Sequence, residues 1–142
     1  MTANQVKQKV LFICTHNAAR SQMAEGMLNI ILGEFYSAQS AGSNPTHVSP
    51  YAVKVMAEIG IDISGHRSKG VDEFKNASFD YVVTVCDHAK ESCPFFPAAK
   101  IQIHRDFENP SVLTGTEEEI LAGYRRIRDQ IRQWITSQFQ PT

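Results

Sequence analysis

Val10-Leu11-Phe12-Ile13-Cys14-Thr15-His16-Asn17-Ala18-Ala19-Arg20-Ser21 reads as a buried strand, a short loop and the start of a helix. A loop at such a junction turns successive backbone N–H groups inward, and the positive end of the helix dipole adds to their pull on negative charge. A thiol placed there is expected to ionise more easily than free cysteine, whose pKa is about 8.5. Arg20 offers a planar fork to a tetrahedral oxyanion, and Ser21 is placed to hydrogen-bond the sulfur. The plainer alternative is a structural cysteine with a surface arginine. It is disfavoured because Cys, five residues, Arg and Ser fall together at one strand-to-helix turn.

Outward from this stretch the chain alternates strand and helix. Met23, Ala24, Met27, Leu28 and Ile31 recur at helical spacing up to Gly33, and Phe35-Tyr36-Ser37-Ala38 reads as a second strand. Ser49-Pro50 is a cap followed by proline at the first helical position, and Val53, Met56 and Ile59 then share a face that stops at Gly60. Phe79–Val85 and Lys100–Ile103 are the remaining strands. Thr116 with Glu119 forms a capping box for a last helix striped by Ile120, Tyr124, Ile127, Ile131, Trp134 and Ile135. The expected architecture is α/β, a single domain over residues 1–142 with a four-stranded parallel sheet and helices on both faces. Ligands of such sheets bind beyond the carboxyl ends of the strands, where Cys14 and Cys86 both fall.

Acidic and basic residues nearly balance, with a formal net charge of -1, which argues against an extended nucleic-acid footprint. No stretch has the length and apolarity of a bilayer span or a signal peptide, so no membrane partner and a cytoplasmic location are expected. A monomer is expected. Three cysteines in a reducing compartment favour redox or nucleophilic chemistry over stapling. The Cys86–Cys93 spacing admits redox partners, zinc ligands or two buried cysteines; no metal is expected, because structural zinc prefers closer cysteine pairs. Were the intervening segment helical, the two Cα atoms would lie roughly 10 Å apart. A disulfide tolerates about 4.4–6.8 Å, so pairing these two sulfurs would require the segment to unwind.

The pieces Cys14–Gly26, Ser40-Ala41-Gly42, Ile61–His66 and Val85-Cys86-Asp87 through Cys93-Pro94 resemble the arsenate reductases built on the low-molecular-weight protein tyrosine phosphatase fold, in particular their thioredoxin-coupled branch. The resemblance implies an enzyme whose catalytic residues are Cys14, Arg20, Ser21, Cys86 and Cys93. Arsenate would be held by Cys14, Thr15, His16, Asn17, Ala18, Ala19 and Arg20. It further implies three successive thiols, with a Cys14–Cys86 and then a Cys86–Cys93 disulfide, and thioredoxin or a related thiol carrier as reductant, with no bound cofactor. The rival is a low-molecular-weight tyrosine phosphatase whose extra cysteines only protect it. A third reading is an oxyanion-binding redox sensor without turnover.

Two departures from the family pattern bear on that choice. Asn109-Pro110 stands where related enzymes carry an Asp-Pro general acid, and an amide cannot deliver that proton. This change favours the reductase, whose leaving oxygen departs as water, over a phosphatase expelling a phenoxide. Asp106 and Glu108 are the neighbouring substitutes, equally readable as solvated loop charges. Some relatives bind potassium through positions matching Asn17, Glu25 and Ser40, but a further acidic position is Lys69 here. Asn17 is then expected to brace the loop and Glu25 to be a helix-surface charge. His16 is read either as a cation deepening the loop's potential or as a solvent-facing residue. Arg67, Arg105 and the arginines of the last helix are expected at the surface, and Tyr124 and Trp134 in the core.

Overall fold

A computed structural model of the chain describes residues 6–87 and 99–141. Strand β1 (Gln8–Cys14) supplies the centre of the sheet, and its last five residues are all buried. Successive side chains point to opposite faces. Val10, Phe12 and Cys14 therefore join one apolar cluster, while Leu11 and Ile13 join another. Helix α1 (Arg20–Ile31), strand β2 (Tyr36–Gly42), helix α2 (Pro50–Ala57), strand β3 (Phe79–Thr84), strand β4 (Ala99–His104) and helix α3 (Glu117–Gln138) follow in chain order.

The sheet is parallel throughout, in the order β2-β1-β3-β4. The chain leaves β1 to one side for β2 and then crosses to the other side for β3. The carboxyl end of β1 is thus the point where strand order reverses, the place at which open α/β sheets bind ligands. Cys14 ends that strand.

Helical cover lies on both faces but unequally among the described residues. Helices α1, α2 and α3 share the larger cluster, with Met23, Met27, Val55, Met56, Ile127 and Ile131 fully enclosed. The opposite face is closed by the short 3₁₀ turn Val71–Phe74 against Phe79 and Val82. No described helix is long and apolar enough to cross a membrane.

The local signals hold. Ser49 accepts the Ala52 N–H with Pro50 at the first helical position, and both bonds of the Thr116–Glu119 capping box form. Gly60 takes φ of +80° just past α2, a conformation that stops a helix at little cost only for glycine.

Several expectations need correcting. Strand β2 runs on to Gly42 because Gln39, Ser40 and Ala41 pair with Leu11, Phe12 and Ile13, a ladder that hydrophobicity alone does not reveal. The buried face of α2 is Ala52, Val55 and Met56, leaving Val53 and Ile59 at its border, and Ile31 projects outward at the end of α1. Arg128 is buried on α3, since its guanidinium donates to the Val55 carbonyl and to Glu58. Glu25 is likewise enclosed, at 8% exposure, rather than lying on a helix surface. Tyr124 is buried as expected, whereas Trp134 is only partly so.

Candidate active site

The loop between β1 and α1 is shaped by where its carbonyls go. Thr15 O accepts from Asn44 N, His16 O from Thr46 N and Ser68 Oγ, Asn17 O from Gln22 Nε2, and Ala18 O from Ser49 N. Across a planar trans peptide the following N–H points opposite to the carbonyl. Tying these carbonyls outward therefore turns the N–H groups of residues 16–19 to the inner side of the loop. A β-carbon on Gly42 would sit 2.5 Å from Thr15 O and 2.8 Å from Asn17 N, so only glycine lets β2 approach this closely. Asn17 takes a left-handed φ of 50° at the tightest part of the turn, a conformation that asparagine tolerates better than most residues.

Hydrogen bonds run in series to the sulfur. Gln22 Nε2 donates to Asn17 Oδ1 at 2.8 Å, as does the Lys69 N–H, which fixes the Asn17 amide. Asn17 Nδ2 then donates to Ser21 Oγ at 2.7 Å. The Ser21 hydroxyl, having accepted that bond, has its single proton available for Cys14 Sγ at 2.9 Å. At the outer end Gln22 also donates to Arg67 O, so its own Oε1 accepts from His66 Nδ1 at 2.9 Å. Each donor thus points toward the sulfur, an arrangement that favours negative charge there. Asn17, Ser21 and Gln22 are all fully enclosed.

Cys14, His16, Ala18, Ala19 and Arg20 line a small pocket together with Asn109, Pro110, Ser111 and Tyr124. Arg20 is 3% exposed, with its guanidinium donating to Phe107 O at 3.3 Å. His16 Nδ1 donates to the Asn44 carbonyl, which holds the ring at the rim. Of the expected residues the structure brings Cys14, Arg20 and Ser21 together with the loop Thr15–Ala19.

Cys86 is fully buried just beyond β3, its sulfur 3.8 Å from the Ile13 carbonyl oxygen, and it is disulfide-bonded; Cys14 is a free thiol. Cys93, and with it the expected unwinding between the two cysteines, lies outside the described residues.

Asn109 faces the pocket from the far wall. Its Oδ1 accepts from the Ser111 N–H and hydroxyl. Neither neighbouring carboxylate is among the described residues lining this pocket. Glu108 pairs with Arg126, and Asp106 pairs with the His104 ring.

Glu25, Ser40, His66 and Lys69 gather behind the loop. Ser40 Oγ donates to Glu25, His66 Nδ1 lies 3.6 Å from that carboxylate, and Lys69 Nζ lies 3.8 Å from it. An ammonium already stands beside the acidic group, so this donor set does not suit a potassium ion.

Sequence reasoning missed Gln22, His66, Ser111 and the pocket-facing edge of Tyr124. The Ser-Gln-Met run beside Arg20 contained Gln22 without any sign of its partners, which come from residues distant in the chain.

The low molecular weight phosphotyrosine protein phosphatase family model matches residues 9–140. The arsenate reductase of Halalkalibacterium halodurans is 45% identical over 88% of this chain and 90% of its own. A solved arsenate reductase in its phosphate-binding state superposes with a TM-score of 0.79 at 29% identity, covering 92% of this chain and 95% of that one. A thioredoxin-dependent arsenate reductase of Corynebacterium glutamicum gives a TM-score of 0.64 at 31% identity, covering 95% of this chain and 63% of that one.

Proposed function

The chain belongs to the low molecular weight phosphotyrosine protein phosphatase family, and on that premise we propose that it reduces arsenate to arsenite by passing two electrons through Cys14, Cys86 and Cys93. The observation that carries this reading is the convergence on the Cys14 sulfur of the Asn17–Ser21 donor series, beside inward N–H groups and the Arg20 guanidinium.

Arsenate sits in the loop with its charge against Arg20 and the N–H groups. The Cys14 thiolate attacks arsenic, and one oxygen leaves as water after protonation. Cys86, as thiolate, then attacks the Cys14 sulfur. The arsenic–sulfur bond breaks with its electron pair left on arsenic, releasing arsenite and a Cys14–Cys86 disulfide. Cys93 attacks the Cys86 sulfur and frees Cys14 for another turn.

The burial of Cys86 beside the end of β1 supports its place as second thiol. A buried sulfur is closed to a protein reductant, so the last disulfide must move outward before thioredoxin attacks it. The thioredoxin-dependent relative supports that choice of carrier.

The rival phosphatase reading meets Asn109 at the place of the acid, with Glu108 and Asp106 paired elsewhere. Arsenite formation with thioredoxin, thioredoxin reductase and NADPH is the deciding assay. Turnover is expected in the parent and absent in Cys14→Ser, Cys86→Ser and Cys93→Ser. Steady aryl-phosphate hydrolysis by the Cys86→Ser, Cys93→Ser double variant, with no arsenite from the parent, would reverse the assignment.

A further inference from the structure

Tyr124 reaches the pocket from α3, and its hydroxyl is oriented by a neighbour outside the loop. The ring lies tilted against Tyr51 with centroids 5.3 Å apart, and it lines the same pocket as Cys14, Arg20 and Asn109. Ser49 accepts the Ala52 N–H as the cap of α2, so its own proton is available, and it donates to Tyr124 Oη at 3.2 Å. A phenol that accepts one hydrogen bond still has a proton to give. On the same wall, Ser111 Oγ spends its proton on Asn109 Oδ1.

We propose that Tyr124 Oη donates a hydrogen bond to the oxyanion held above Cys14, with Ser49 as the positioning residue that aims it. This rests on the loop being an oxyanion site, as in the proposed function. The contact is a hydrogen bond and involves no proton transfer. Burial raises the phenol's pKa above its ordinary value, against the opposing effects of the Ser49 bond and the Arg20 charge, so the group stays a neutral donor. A neutral donor in the same pocket as Arg20 fixes a peripheral oxygen of a tetrahedral anion and leaves the water-forming oxygen free.

Tyr124→Phe keeps the ring against Tyr51 and removes only the hydroxyl. Calorimetric titration with inorganic phosphate is expected to show Kd rising about tenfold, as for a lost bond to a charged acceptor. The KM for arsenate should rise in parallel, while kcat and the melting temperature stay close to those of the parent. Ser49→Ala should give a smaller loss that adds nothing on top of Tyr124→Phe, and Ser49→Thr should restore binding. Unchanged phosphate affinity and KM in Tyr124→Phe, with a parent that binds phosphate, would overturn this assignment alone. A parent that binds no phosphate would overturn both it and the oxyanion-site reading.

Discussion

The loop side of the pocket and the wall facing it are bonded in opposite senses. In the loop, Gln22, Asn17 and Ser21 are buried and joined in series, so their donors converge on the Cys14 sulfur. On the facing wall the acidic side chains turn away: Glu108 lies against Arg126 and Asp106 against His104, leaving the amide of Asn109 and the phenol of Tyr124 at the pocket. One wall is preorganised for negative charge, and the other offers only neutral groups among the described residues. Donors so arranged suit the oxyanion of the proposed function, while the facing wall is poorly equipped to protonate a departing phenoxide. The difference matches a reaction in which sulfur does the work and the leaving oxygen departs as water.

Converting the facing wall to an acidic one is the strongest test of that contrast. Asn109→Asp is expected to raise aryl-phosphate hydrolysis by about a hundredfold, the lower range for a positioned general acid. Arsenate reduction should change by less than about threefold, since it does not draw on that group. A phosphatase rate that stays at the parent level would remove the account of this wall.

Weakening the loop side should have a smaller effect of opposite sign. Ser21→Ala takes away the donor 2.9 Å from the sulfur and leaves the Asn17 amide without its acceptor. Arsenate kcat/KM near neutral pH should fall about tenfold, as for a hydrogen bond to a charged group. A kcat/KM that does not fall would assign the stabilisation to Arg20 and the backbone N–H groups alone.

The smallest effect concerns what backs the two walls. The loop is braced by buried neutral hydrogen bonds, whereas α3, which carries Tyr124, is tied to the end of α2 through Glu58 with Arg125 and Arg128. Hydrogen bonding from Arg125 holds the Glu58 carboxyl down from its ordinary 4.5 to about 2. With the folded pKa below the unfolded one, the unfolded chain takes up the proton first. The contribution is therefore complete above about pH 4.5 and is lost as pH falls toward 2. Glu58→Gln should lower the melting temperature slightly at pH 6 and flatten part of its acid decline. Glu73, held low by Arg67, and Glu119, held low by the Thr116 backbone bond, keep a residual slope in the variant. Solvent screening keeps the Glu58 effect modest. An acid decline identical in parent and variant would show that this cluster carries none of it.

How legible each feature was depends on how far away its cause lies. Ser49-Pro50 and Thr116–Glu119 were readable because caps are made by residues three apart, and the Cys14–Ser21 spacing was readable because a strand-to-helix turn is local. Glu25 and Arg128 were misread as surface charges because residue type alone favours exposure. Their burial is set by Ser40, Lys69, Val55 and Glu58, partners supplied by other elements. Tyr124 fitted the apolar stripe of its helix, and nothing in a periodicity shows that one edge of a buried ring borders a pocket.

From the order of residues alone came the parallel α/β plan and the strand-to-helix turn that carries Cys14, Arg20 and Ser21, since each follows from periodicity or spacing within about a dozen positions. The tertiary structure decided which polar groups are enclosed, the direction of the donor series from His66 to Cys14, and the neutral character of the facing wall. Hydrogen-bond direction depends on what each atom's other partners are. For this pocket those partners come from segments that only the folded sheet brings side by side.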